Sequence, residues 1–422
     1  MKSCRWPRGR FWTWMLLCVG FALSPKGALK DVAAQIPLGG TISVNTQSGY
    51  KKSNQSKVFY HDSQWWAIAY NLSNSRWCIW RYDGDQWTKT RNIEMGINYQ
   101  WDAIIDSNTG KLYLFGSHPT ASHFWRFSYI GGTWNNDPGY PRPLPNFANA
   151  DQGNVISFVR AKNGEFWLFR IENNKLQSKR SSDEGMTWTA TIDVKSGLAS
   201  ANGTTDAMAF AFNGKNGVGV AYGEFGVPNA KFGFLRHLDG AADTSWTNES
   251  AALTFFGAER ALNHVNMTVD AGNNIYLLTR NTGASGNLPR NTLYKRMSTG
   301  VWEKYKANSN NTTIWKSPAM AIDGAHNLLY CMGINTTTAV AEYKTCTLGQ
   351  EGDLDNAAVQ TLFSDAGASF DDLSAPPSGA NVDAMSGLMV CVDNTTANDI
   401  WYRLISTGAT EPVTLGSITV GS

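Results

Sequence analysis

The residue types able to do acid–base chemistry are sparse in this chain, and they fall at repeated places. His118 and His264 exchange protons near neutrality, Tyr70 and Tyr222 carry phenols, and Arg170 and Arg280 carry fixed cations. Asp102, Asp206, Glu224 and Lys57 complete the set. A base, an acid and a guanidinium held within reach of one another can remove a proton beside a carboxylate, or cleave a bond next to one. Only 17% of the 422 residues are charged, so such a cluster would be dense for this chain.

What positions these residues is a repeat. Trp87, Trp134, Trp188, Trp246 and Trp302 recur at intervals of 47 to 58 residues, each closing a strand-like run and its turn. A period of that size is a supersecondary unit used several times. A second repeat runs half a unit out of phase. Asp106, Asp270 and Asp323 each begin a turn followed, six or seven residues on, by Tyr113, Tyr276 and Tyr330. Trp66 and Trp167 fill the same slot in other units. Short alternating runs separated by Gly, Asn and Asp read as antiparallel hairpins, and four strands per unit make a propeller blade. The fold class expected is all-β: a β-propeller of seven four-stranded blades, with six as the alternative. The seventh blade rests on Gly387–Val392 and Asp399–Leu404, and Gly40–Val44 is expected to complete it and close the ring.

Strand order then sorts the polar residues between two faces. Second strands end at Tyr70, His118, Arg170, Tyr222 and Arg280, with Glu224 just beyond. Inner strands start near Lys57, Asp102, Asn154, Asp206, His264 and Asn381. These two sets share one face around the axis, where a pocket is expected. Other residues have structural readings. Arg81, Arg126, Arg180, Arg236, Arg296 and Arg403 occupy one third-strand position and should snorkel or pair between blades. His61 and His326 belong to turns on the opposite face, and His237 is expected at the surface. Asp102 and Asp206 can also serve simply by accepting from inner-strand amides.

Arg5, Arg8 and Arg10 precede an apolar stretch, Trp14 to Leu23, and a run of small residues, so residues 1–30 read as a secretory signal peptide and the protein as secreted or periplasmic. Residues 37–410 are expected to form a single propeller domain and 411–422 a C-terminal tail. No second apolar run suits a membrane span, and a net charge of +2 without a basic run disfavours nucleic acid. No Cys/His spacing resembles a zinc site, and neither a metal nor another cofactor is implied. Cys331 and Cys346, on adjacent strands of one blade, leave a cross-strand disulfide open.

The run Ser181-Ser182-Asp183-Glu184-Gly185-Met186-Thr187-Trp188 matches the Asp-box pattern, and degraded copies precede the other tryptophans. The chain therefore resembles the sialidase-like (BNR-repeat) propeller superfamily. That resemblance implies a glycan ligand, with Arg170 and Arg280, and Arg260 as a third, gripping a carboxylate. It also implies Tyr222 and Glu224 as a nucleophile pair and Asp102 as the acid. Phe169-Arg170-Ile171-Glu172 matches the superfamily's arginine motif in part, without its proline. The histidines and arginines also resemble those of ulvan-lyase-type polysaccharide lyases. This implies His118 or His264 as base, Tyr222 or Tyr70 as acid, and Arg170 or Arg280 against the carboxylate. A non-catalytic glycan-binding propeller and a protein-interaction scaffold are the remaining readings.

Overall fold

Alternation and turn chemistry build the blades. Asn173 and Asn174 both take positive φ (50° and 59°) and join two strands through a two-residue turn, the hairpin geometry whose twist suits paired strands. Asp106, Asp270 and Asp323 each accept backbone amides two to four residues on, which closes the expected turns.

A computed structural model describes residues 55–417, apart from 72–73, 85, 96–98, 119, 121, 145–146, 148–155, 200–206, 212–216, 226, 283–287, 310–313, 377–385, 397–398 and 406–414. The expected signal peptide, Gly40–Val44, Asn154, Asp206 and Asn381 lie outside the described residues. Seven antiparallel sheets follow one another in chain order and form a seven-bladed propeller. Blade 1 runs Val58–His61, Gln64–Asn71, Arg76–Tyr82 and Trp87–Met95 from the axis outward. Blade 2 runs Gln100–Asp106, Lys111–Ser117 and Ser122–Ile130; its outer position is split between Thr133–Asn136 and Arg142–Leu144. Blades 3, 4, 5 and 6 have inner strands Ser157–Arg160, Ala207–Ala211, Arg260–Val269 and Trp315–Asp323. Blade 7 runs Phe370–Ser374, Leu388–Asn394, Asp399–Ile405 and Leu415–Ser417. Its inner strand therefore starts at Phe370 rather than near Asn381, and its outer strand comes from the segment read as a tail.

Seven apolar clusters fill the seven seams between neighbouring blades. Trp134, Trp188, Trp246 and Trp302 lie at or just before outer strands and pack against the preceding blade, as a repeat position requires. Trp87 does the same across the closing seam, where Tyr402 of blade 7 meets Tyr82 and Trp87 at 5.3 and 5.8 Å. The ring thus closes by buried aromatic contact as well as by the amide of Lys57 donating to Ser374 Oγ.

Several third-strand arginines link blades, whereas Arg81 pairs with Asp83 of its own blade. Arg126 reaches Glu184 in the Asp-box of blade 3, Arg180 reaches Asp243, and Arg296 joins Arg236 on Glu249. Asp183 accepts from the Thr187 amide and hydroxyl, which fixes the Asp-box turn between third and outer strands. His237 corrects its expected place: it is buried between Trp167 and Trp246, at 4.7 and 5.0 Å, because it shares a strand face with core residue Leu235. Cys331 and Cys346 are not joined; they stand opposite Lys344 and Leu329, two register positions apart.

Candidate functional site

All the expected site residues that are described lie on one face, where second strands end and inner strands begin. Their contacts divide them into separate groups. The densest lies over the seam of blades 1 and 2. His118 follows the second strand of blade 2, His123 opens its third strand, and Tyr99 precedes its inner strand. Glu94 comes from the outer strand of blade 1. The Tyr99 hydroxyl is 3.2 Å from His123 Nδ1, and that nitrogen is 3.7 Å from Glu94 Oε2. The His118 ring lies over Tyr99 at 4.7 Å, and its Nδ1 accepts from the Thr120 amide at 3.2 Å. An aromatic row supports this group: Tyr99 on Trp101, Trp101 on Trp77, and Trp77 on Tyr70, at 5.5, 6.0 and 5.7 Å. Tyr70 thus serves as packing beneath the group.

The electrostatics give the members different states. Burial lowers the His118 pKa, and the neighbouring His123 lowers it further against the opposing pull of Glu94. Since Nδ1 accepts an amide, the neutral ring carries its proton on Nε2. Burial, then the Glu94 charge, raises the Tyr99 phenol to about 12, so it stays protonated at neutrality. The group therefore holds a neutral imidazole, a protonated phenol and a second imidazole steered by a carboxylate.

Sequence reasoning missed Tyr99, His123 and Glu94. The signal for His123 was present: Gly116 pairs with His123 across the hairpin, so both histidines of His118-x4-His123 sit at the same strand end.

The remaining expected residues are placed otherwise. Asp102 accepts from the amides of Ser56, just before the inner strand of blade 1, and Phe158, in the inner strand of blade 3. Ser157, Asn266 and Ser374 staple neighbouring inner strands in the same way, so Asp102 belongs to a structural ring. Burial raises its pKa to about 7 against those two amides and the charge of Lys57, which is fully buried itself. Tyr222 lies across Gly233 of the third strand, and its hydroxyl reaches Ser250 Oγ at 3.5 Å beyond the outer strand, pointing away from the axis. Glu224 accepts from the amides of Ala199 and Lys231. The Glu224 charge bears on the Tyr222 phenol, but the hydroxyl is directed to Ser250 and the carboxylate to backbone amides, not to each other as the sialidase resemblance implies. Arg170 is buried against Phe147 and bonded to Glu172 at 2.6 Å and Gln177 at 3.1 Å.

Arg280 and His264 belong to blade 5. Three inner-strand residues, Leu262 to His264, bulge out opposite Arg280. Burial lowers the Arg280 pKa while the Asp371 carboxylate of blade 7 opposes that shift. Lys316 of blade 6 meets the same carboxylate at 2.9 Å. Among the described residues no group of His, Cys, Asp and Glu is arranged to hold a metal, and no helix is long and apolar enough to cross a membrane.

No protein-family model matches the chain, and no curated protein matches it in sequence. Solved structures do. An ulvan lyase, described as a new family of polysaccharide lyase and bound to -[GlcA(1-4)Rha3S]-, superposes with a TM-score of 0.57 at 12% identity, covering 88% of this chain and 94% of that one. A second structure of an ulvan lyase gives the same values. At this identity the likeness shows the propeller fold. A Hadza microbial sialidase matches at a TM-score of 0.43 and 12% identity over 77% of this chain and 72% of its own.

Proposed function

We propose that this protein is an exported carbohydrate-active propeller that cleaves a uronate-containing polysaccharide by elimination on the face described above. The single observation carrying this reading is the Tyr99–His123–Glu94 arrangement beside His118. Eliminating a 4-linked uronate needs a base for the C5 proton and an acid for the departing O4. Glu94 steers Nδ1 of His123, leaving Nε2 as the base. The protonated Tyr99 phenol gives its proton to the departing O4, and the Nε2–H of His118 donates to the substrate. The C5–H electron pair forms the new C4–C5 double bond as the C4–O4 bond breaks. Hydrolysis is supported less, since Tyr222 and Glu224 are engaged elsewhere. The ulvan lyase likeness agrees with the reading at the level of the fold.

Export follows from the expected signal peptide and is part of the same proposal. Incubating the purified protein with uronate polysaccharides and with sialosides tests the assignment. Unsaturated uronate products support it; released sialic acid, or no product, contradicts it.

A further inference from the structure

His118 and His123 stand near the two ends of one hairpin loop, and two buried serines frame that loop. Ser117 closes the second strand of blade 2, and Ser122 opens the third. The Ser117 hydroxyl donates to the carbonyl of Gln100, the residue after Tyr99, at 3.3 Å. The Ser122 hydroxyl makes two bonds: it accepts from the His118 amide at 3.4 Å and donates to the Phe147 carbonyl at 3.0 Å. A hydroxyl has one proton to give and lone pairs to receive, so both of its roles are filled.

The far partner of Ser122 is itself held on two sides. Phe147 is buried in the apolar cluster between blades 2 and 3, and the Arg170 guanidinium lies over its ring at 4.4 Å. Through Ser122, the backbone of His118 is therefore anchored to that seam, while its ring lies over Tyr99. Successive side chains on a strand point to opposite faces, so Ser122 turns toward Phe147 where the adjacent His123 turns toward Tyr99. Thr120 also touches His118, with its amide and hydroxyl 3.2 and 3.0 Å from Nδ1, but Thr120 is exposed. Ser122 is buried, where its two bonds meet no competition from water.

We propose that Ser122 is a positioning residue for the elimination, whose hydroxyl sets the place of His118 over Tyr99 by tying the His118 backbone to the Phe147 carbonyl. The inference rests on the function proposed above and adds to it a residue that touches no substrate. Without the hydroxyl, the His118 amide and the Phe147 carbonyl lose their shared partner, and the loop regains bonds only by moving toward water. That movement carries the imidazole off the phenol. A shift of about 1 Å is enough to slow a reaction whose groups must be aligned.

Ser122→Ala in the full chain tests this, with Ser157→Ala as the control. Ser157 is a second buried hydroxyl, which accepts the Ala209 amide and bonds to neither histidine. On a cleaved polyuronate, Ser122→Ala should lower kcat by about tenfold with KM unchanged. It should also move the NMR titration midpoint of His118 up toward about 6.5. Ser157→Ala should lower the melting temperature and leave that midpoint where it is. Ser122→Cys, which keeps a weak donor and acceptor at the same place, should fall between wild type and Ser122→Ala, and it carries the test if the alanine variant does not fold. An unmoved His118 midpoint, or a loss of kcat no greater than the loss of folded protein, overturns the role of Ser122 while the proposed function stands. If the wild-type protein releases no unsaturated uronate, the function fails and the role with it.

Discussion

The imidazole of His118 lies over the ring of Tyr99 with centroids 4.7 Å apart, and its Nδ1 accepts the amide of Thr120. Burial and the neighbouring His123 both act against a positive charge at that ring. His118 should therefore titrate below about 6.5, the ordinary histidine value, when followed by NMR of the ring protons. Replacing Tyr99 with Ala opens the ring to water and should move the midpoint back up. A wild-type midpoint above the ordinary value would contradict the neutral form that the proposed chemistry uses.

The row beneath the histidines depends on a missing side chain. A Cβ at Gly116 would meet the Trp101 ring at 2.8 Å, and Trp101 carries Tyr99 at 5.5 Å. Gly116→Ala should destabilise the protein by about 1–3 kcal/mol through overpacking. Turnover should fall more than stability alone explains, because Tyr99 must shift with the indole. Denaturant unfolding and rate measurements on the folded fraction separate the two effects.

The fold was legible in the sequence, and the site only partly so. Trp87 to Trp302 announced the blades because each indole fills the same seam position, and a steric need repeated five times leaves a period. Asp183 and the third-strand arginines were legible for the same reason. Tyr99, His123 and Glu94 belong to no repeat: an outer strand of one blade, a linker and a third strand of the next bring them together. Reasoning by strand order gathers residues toward the axis and misses a group that straddles a seam. Tyr222 was misplaced because strand position sets which end of the blade a residue occupies, while Gly233 lets its ring lie outward.

Glu249 ties blades 4 and 5 by accepting from Arg236, Arg296 and the Trp302 indole. Burial raises its pKa, but the bonds from Arg296 and Trp302 and the two arginine charges outweigh it and leave the carboxyl below its ordinary value. A depressed carboxyl stabilises the fold above its unfolded pKa of about 4.3, and that contribution is lost as pH falls through the lower folded value. Glu249→Gln should cost about 1–3 kcal/mol at pH 7, with the partial exposure keeping it from the upper end. The difference from wild type should shrink toward pH 3. Equal unfolding free energies at pH 7 would contradict the role given to this residue.

The central claim is that Tyr99 and His123 perform elimination, and the growth of ultraviolet absorbance from the unsaturated uronate measures it directly. On a cleaved polyuronate, Tyr99→Phe and His123→Ala should each lower the rate by about 100-fold or more, while Tyr222→Phe keeps it. New reducing ends without absorbance, or undiminished absorbance growth in the Tyr99 and His123 variants, would contradict the account.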